Sequence, residues 1–279
     1  MIALGKIQTL EAVRRTDFGV YLKEIGSTGE EEVFIPRQEI EEDLELGTSL
    51  SVFVYRDTED RLIATVQVPK LTLGKVATLK VADITSIGVF LEWGLQKDLF
   101  LPFKEQVGKP QKGDEVLVGL YIDKSDRLCA TMKVYDILSC ESPYKKNQSV
   151  NGIVYSVKSD LGALVAVEEG YHGLIPTTEM IGSLHIGDKL NVRVKNIRPD
   201  GKLVLSLRKQ AFQQMEDDST KIMNLLEQQG GTLPLGDKST PQAIKAQLGM
   251  SKASFKRAIG RLLKEGAIAL TETGIKRNW

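Results

Sequence analysis

Aromatic rings beside a glycine in an extended run are the side chains of this chain best suited to act on a ligand. Phe18-Gly19-Val20-Tyr21 is one such run and Gly88-Val89-Phe90 is another. Each is followed by a short apolar run holding a further ring, Val33-Phe34-Ile35-Pro36 and Leu99-Phe100-Leu101-Pro102. A third run of the same form, Leu161-Gly162-Ala163-Leu164, has lost its rings. Cations accompany these runs: Arg14, Arg15 and Lys23 with the first, Lys80 with the second, and Lys158, Arg193, Lys195 and Arg198 with the third. Copies repeated in tandem suit an extended ligand, and cations suit a polyanion, whose counterions they release. The plain alternative is that strand alternation turns the rings inward and leaves the cations solvated.

Other chemistry finds little support. Cys129 and Cys140 do not make a disulfide framework, and Cys129, within Arg-Leu-Cys-Ala-Thr, reads as a buried strand thiol. His172 and His185 have no partner at zinc-ligand spacing, so neither metal nor cofactor is expected. The acidic stretches Glu30-Glu31-Glu32 and Glu39 to Glu45 read as solvated faces. Neither a phosphate loop nor a nucleophile elbow occurs, and nothing points to an enzyme or a small-molecule substrate.

The elements that must hold the rings come in repeats. The glycines at 19, 88 and 162 are 69 and 74 residues apart, and Pro36, Pro102 and Pro176 are 66 and 74 apart. Periods of this length mean whole small domains in tandem. Arg-Leu-x-Ala-Thr recurs at 61–65 and 127–131, each after a strand and a polar turn. Five short strands in about 65 residues cannot cover both faces of a flat sheet, so each copy is predicted to close into a barrel. The strand glycines fit sharp coiling at barrel corners.

Charge is uneven beneath a net of zero: residues 1–143 carry −7 and residues 144–279 carry +7. A polyanion would therefore draw most of its charge contacts from the second half. No apolar run is long enough to span a membrane, and Met1 is followed by a strand-like segment rather than a leader pattern. A cytoplasmic location is expected.

After residue 212 the pattern turns helical. Met215 to Gln229 carries an apolar stripe and ends at Gly230-Gly231. Thr240-Pro241 starts a second helix that Gly249 stops, and Ser251 caps a third running to Glu265. Ile268-Ala269-Leu270 and Ile275-Lys276-Arg277 form a hairpin. Three helices and a hairpin resemble a winged helix-turn-helix. In its DNA-binding members the third helix and the wing meet the nucleic acid, which places Lys252, Lys256, Arg257, Lys276 and Arg277 at suitable positions. No cluster of Asn, Gln or Arg suited to base edges opens the third helix.

The repeats resemble the S-one type RNA-binding domain, an OB-fold barrel. The third copy follows the family order most closely, through Gly152-Ile153-Val154, His172-Gly173-Leu174-Ile175-Pro176, Gly187-Asp188-Lys189 and Leu203-Val204-Leu205-Ser206. The resemblance implies a single RNA strand across one barrel face, with Phe18, Tyr21, Phe34, Phe90 and Phe100 stacking on bases. Prolines 36, 102 and 176 depart from the histidine that family members often carry there. The expected fold class is mainly β with a C-terminal α+β domain. It consists of three tandem five-stranded OB-fold barrels (residues 1–69, 70–142 and 147–210) and a winged helix (215–279). In this order the four domains resemble the conserved virulence factor B (YitL-like) family. That resemblance implies a non-enzymatic binder of single-stranded RNA that regulates virulence-associated gene expression. DNA binding through the winged helix, and a scaffold role on the ribosome or RNA-processing proteins, stay open alternatives.

Overall fold

The computed structural model describes the chain apart from residues 42–43, 58, 209–210 and 279 and the side chains of residues 211–214. The acidic stretch from 39 to 45 and the turn from 56 to 60 thus fall partly outside the described residues. Two compact units divide the chain, Met1–Leu207 and Arg208–Trp279.

The first unit holds three copies of one five-stranded pattern. Copy one has β1 (Ile7–Thr16), β2 (Gly19–Glu24), β3 (Val33–Pro36), β4 (Ser49–Arg56) and β5 (Leu62–Thr65). Its closed barrel runs β1-β2-β3-β5-β4, with β3 and β5 parallel at Phe34–Ile63. Copy two has β6 (Val76–Ile84), β7 (Gly88–Glu92), β8 (Leu99–Pro102), β9 (Glu115–Ile122) and β10 (Leu128–Thr131). Its sheet runs β10-β9-β6-β7-β8, and the two end strands lie close to each other. Copy three has β11 (Ser149–Lys158), β12 (Gly162–Val167), β13 (Tyr171–Pro176), β14 (Lys189–Ile197) and β15 (Leu203–Ser206), again a closed barrel.

Each copy repeats the same internal hydrogen bond. A single 3-10 turn follows the third strand and ends in Glu39, Glu105 or Glu179. That carboxylate accepts from a hydroxyl at the end of the fifth strand: Thr65, Thr131 at 2.8 Å, and Ser206 at 2.5 Å. The glycines serve close approach rather than bending alone. Gly19, Gly88 and Gly162 pair with Pro36, Pro102 and Pro176. A Cβ on Gly19 or Gly162 would lie 2.1 or 2.0 Å from the carbonyl oxygen of Ile35 or Ile175.

Barrels 1 and 2 share a core. Phe53 on β4 is fully buried among the residues of barrel 2, edge-on to Trp93 with centroids 5.7 Å apart. The chain start adds a strap, since Gly5 N–H donates to Val54 O and Gly5 O accepts from Leu73 N–H, both at 2.8 Å. Barrels 2 and 3 meet through Val76, Leu117, Val134 and Leu138 packed on Tyr155 and Ala166. Glu169 accepts from Thr78 N–H at 3.1 Å, and His172 N–H donates to Ser139 O at 3.0 Å. At the short junction between barrels 1 and 2, Leu71 is buried in the shared core and Lys70 N–H donates to Trp93 O at 2.8 Å.

The second unit has α1 (Ala211–Gln228), β16 (Thr232–Leu233), α2 (Pro241–Leu248), α3 (Lys252–Lys264), β17 (Ile268–Leu270) and β18 (Ile275–Arg277). Thr240 and Ser251 cap α2 and α3 as their sequence signals require, accepting from Ala243 N–H at 3.2 Å and Ser254 N–H at 3.1 Å. Helix α1 begins about one turn before the predicted Met215. Strand β16 was not foreseen; two residues between a Gly pair and Pro234 give no periodic signal, yet they complete the sheet β16-β18-β17.

Candidate nucleic-acid interface

Strand register brings the rings together in pairs. On barrel 1, Tyr21 on β2 lies opposite Phe34 on β3, centroids 5.3 Å apart at 56°. On barrel 2, Phe90 on β7 lies opposite Phe100 on β8, 5.4 Å apart at 42°. Neighbours on either side, Val20 and Leu22 or Val89 and Leu91, point into the cores and are fully buried. Alternation therefore turns all four rings outward, where each is half-buried. Phe18, at the β1–β2 turn, is 81 % exposed. None of these five rings belongs to a barrel core.

Barrel 1 adds a cation. Arg14, opposite Tyr21 across a bulge in β1, stacks its guanidinium carbon 3.8 Å from that ring's centroid while bonding Glu32 at 2.9 Å. A groove of about 610 Å³ runs past Phe18, Tyr21 and Phe34. On barrel 2 the position of Arg14 is taken by Asp83 opposite Phe90. The hydrogen bond from Lys112 at 3.2 Å holds the Asp83 carboxyl below its ordinary pKa. Barrel 3 offers Ser156, Leu164 and Leu174 at these places. Leu164 packs against the Val134–Leu138 cluster from barrel 2, so part of this face is a domain contact.

The basic residues are dispersed, and most are engaged. Lys80 pairs with Glu92 at 3.4 Å, on the outer face that also carries Phe90. Arg15 donates to the Leu44 carbonyl. Lys158 is exposed at the end of β11. Arg193 donates to Asn147 at 3.0 Å, Lys195 pairs with Glu179 at 2.6 Å, and Arg198 pairs with Asp200 at 3.4 Å. In the second unit Lys252 starts α3 and Lys276 is exposed on β18, while Lys256 pairs with Asp237 at 3.3 Å. Arg257 donates to Ser254 at 3.4 Å and Arg277 pairs with Glu227 at 3.4 Å. Apart from the part-buried Lys195–Glu179 pair, these are exposed pairs, which are weak and open to exchange for a phosphate.

The sequence reading missed Tyr55, Trp93 and Asp98, which line a second groove beside Phe90 and Phe100. Two barrels meet there, and single-strand periodicity carries no signal for such a junction. Among the described residues no group of His, Cys, Asp and Glu is arranged to hold a metal ion. No helix among them is long and apolar enough to cross a membrane.

Small barrels with outward ring pairs, followed by a capped three-helix unit with a wing, are domains of nucleic-acid-binding types. An S1 domain model matches residues 4–67 and 73–133. The models "Virulence regulatory factor CvfB, second domain" and "CvfB-like winged helix domain" match residues 136–209 and 220–276. YitL of Bacillus subtilis is 32 % identical, over 95 % of this chain and 90 % of its own length. Conserved virulence factor B of Staphylococcus saprophyticus is 33 % identical, over 97 % of this chain and 95 % of its own length. A solved multidomain protein with nucleic acid binding domains from Streptococcus pneumoniae is 27 % identical over 98 % of each chain, with a TM-score of 0.49. The chain belongs to the conserved virulence factor B family.

Proposed function

We propose that this protein is a non-enzymatic regulator that binds single-stranded RNA, with virulence-associated gene expression as its field of action. The observation that carries this reading is the repetition of an outward cross-strand ring pair, Tyr21–Phe34 and Phe90–Phe100, at the same register of two packed barrels. Duplex nucleic acid hides its base faces, whereas a single strand offers them for stacking. The basic residues of barrel 3 and the winged helix supply phosphate contacts, in keeping with the +7 net charge of residues 144–279. Competition between a single-stranded RNA and a duplex DNA of equal length for the full chain, over a salt series, tests it. Preference for the single strand, with a log–log slope of about −0.7 per phosphate contacted, is expected. Preference for the duplex would assign recognition to the winged helix instead.

A further inference from the structure

The groove between barrels 1 and 2 has a volume of about 340 Å³. Phe90, Phe100 and Trp93 line it from barrel 2, and Tyr55 and Arg56 from barrel 1. Its cations are already committed. Arg56 donates to Asp126 O at 2.9 Å and to Asp60 O at 2.7 Å, and Arg127 pairs with Asp60. Lys97 turns to the Asp57 carbonyl at 3.5 Å. Trp93 spends its only donor on Lys97 O at 2.6 Å. The carboxylates of Asp60, Asp98 and Asp123 line the groove beside these three cations, which makes it a poor seat for phosphate and a good one for a flat, apolar-faced group.

One polar group in it is unmatched. Asp98 lines the groove and is half-buried, yet no described residue donates to its carboxylate or forms an ion pair with it. Desolvation, then the charge of Glu92, raises its pKa. The carboxylate keeps some contact with water but has no protein donor, so its oxygens are open to a ligand that brings donors. Two carboxylate oxygens fit two adjacent N–H donors. Among the four RNA bases only guanine presents such a pair, N1–H beside the N2 amino group. Adenine and cytosine set one amino donor beside a ring-nitrogen acceptor, and uracil flanks its N–H with two carbonyls that the carboxylate repels.

We propose that this groove is a base-specific pocket that takes one unstacked guanine, its rings against Phe90 and Phe100 and its Watson–Crick edge on the Asp98 carboxylate. The assignment rests on the RNA-binding reading above and adds the base preference to it. The test is fluorescence anisotropy of the full chain with labelled oligouridylate carrying one central guanosine, inosine, adenosine or uridine. The guanosine strand binds about tenfold or more tighter than the all-uridine strand, and inosine, lacking the N2 amino group, falls between. Asp98→Asn removes the preference and leaves the all-uridine affinity within about twofold. Equal binding of guanosine and uridine strands by the unmodified chain overturns the pocket, as does an equal loss on every strand in Asp98→Asn. The inosine strand needs no change to the protein, so misfolding cannot mimic its result. Failure to bind any of these RNAs sinks the RNA-binding reading as well; binding without guanosine preference sinks only the pocket.

Discussion

Replacing Phe53 with alanine should uncouple barrels 1 and 2. Phe53 is 1 % exposed, belongs by sequence to β4 of barrel 1, and lies in the core of barrel 2 against Trp93 and near Tyr55. Truncating a fully buried Phe costs about 3–5 kcal/mol, of which about 1 kcal/mol reflects the edge-on contact with Trp93. With a urea dependence of about 2 kcal/mol per molar, a loss of 4 kcal/mol lowers the midpoint by about 2 M. Trp93 itself reports the event. The chain has two tryptophans, so a Trp279→Phe background leaves the Trp93 indole, 3 % exposed at the shared core, as the sole probe. Urea titration of Phe53→Ala in that background should show Trp93 becoming solvated early, ahead of the loss of strand signal from barrel 3. A midpoint shift below about 0.5 M would refute the shared core and, with it, the fixed alignment of the two ring pairs.

Other perturbations follow from local geometry. His172 is buried against Tyr135, with ring centroids 4.7 Å apart; desolvation, and next the Lys202 charge, depress its pKa from 6.5. The unfolded chain therefore takes up a proton first, so stability should fall as pH drops below about 6.5, and His172→Phe should flatten that dependence in pH-resolved urea melts. At Gly162, φ is +120° and a Cβ would collide with Ile175 O, so Gly162→Ala should cost at least about 2 kcal/mol. Exposed Gly260 in α3 has open space around its Cα, and Gly260→Ala should instead gain about 1 kcal/mol, both variants being read in urea melts. Glu179→Gln removes a buried acceptor shared by Ser206 and Lys195 and should cost about 2 kcal/mol by chemical denaturation.

Much of this was legible in the sequence because it is local. Period-two alternation around Gly19 and Gly88 located the strands and the rings, and Thr240, Ser251 and Gly249 marked helix ends by their own backbone hydrogen bonds. Residues that act between copies were not legible. Phe53 and Tyr55 alternate like any strand pair, and nothing local says that Phe53 fills the core of the next barrel. Leu164 reads in sequence as a lost stacking position; in the fold it packs against the segment that leaves barrel 2. The basic residues were found by type alone, and their ion pairs with Glu92, Glu179, Asp200 and Asp237 depend on contacts that residue type does not encode.

The most direct measurement is the affinity of the full chain for a single-stranded RNA of about fifteen nucleotides before and after removal of the ring pairs. Tyr21→Ala with Phe34→Ala, and separately Phe90→Ala with Phe100→Ala, should each weaken binding by about 1–3 kcal/mol per base released, with an unchanged salt slope. Unaltered affinity in both double variants, at melting temperatures showing intact barrels, would contradict stacking on this face.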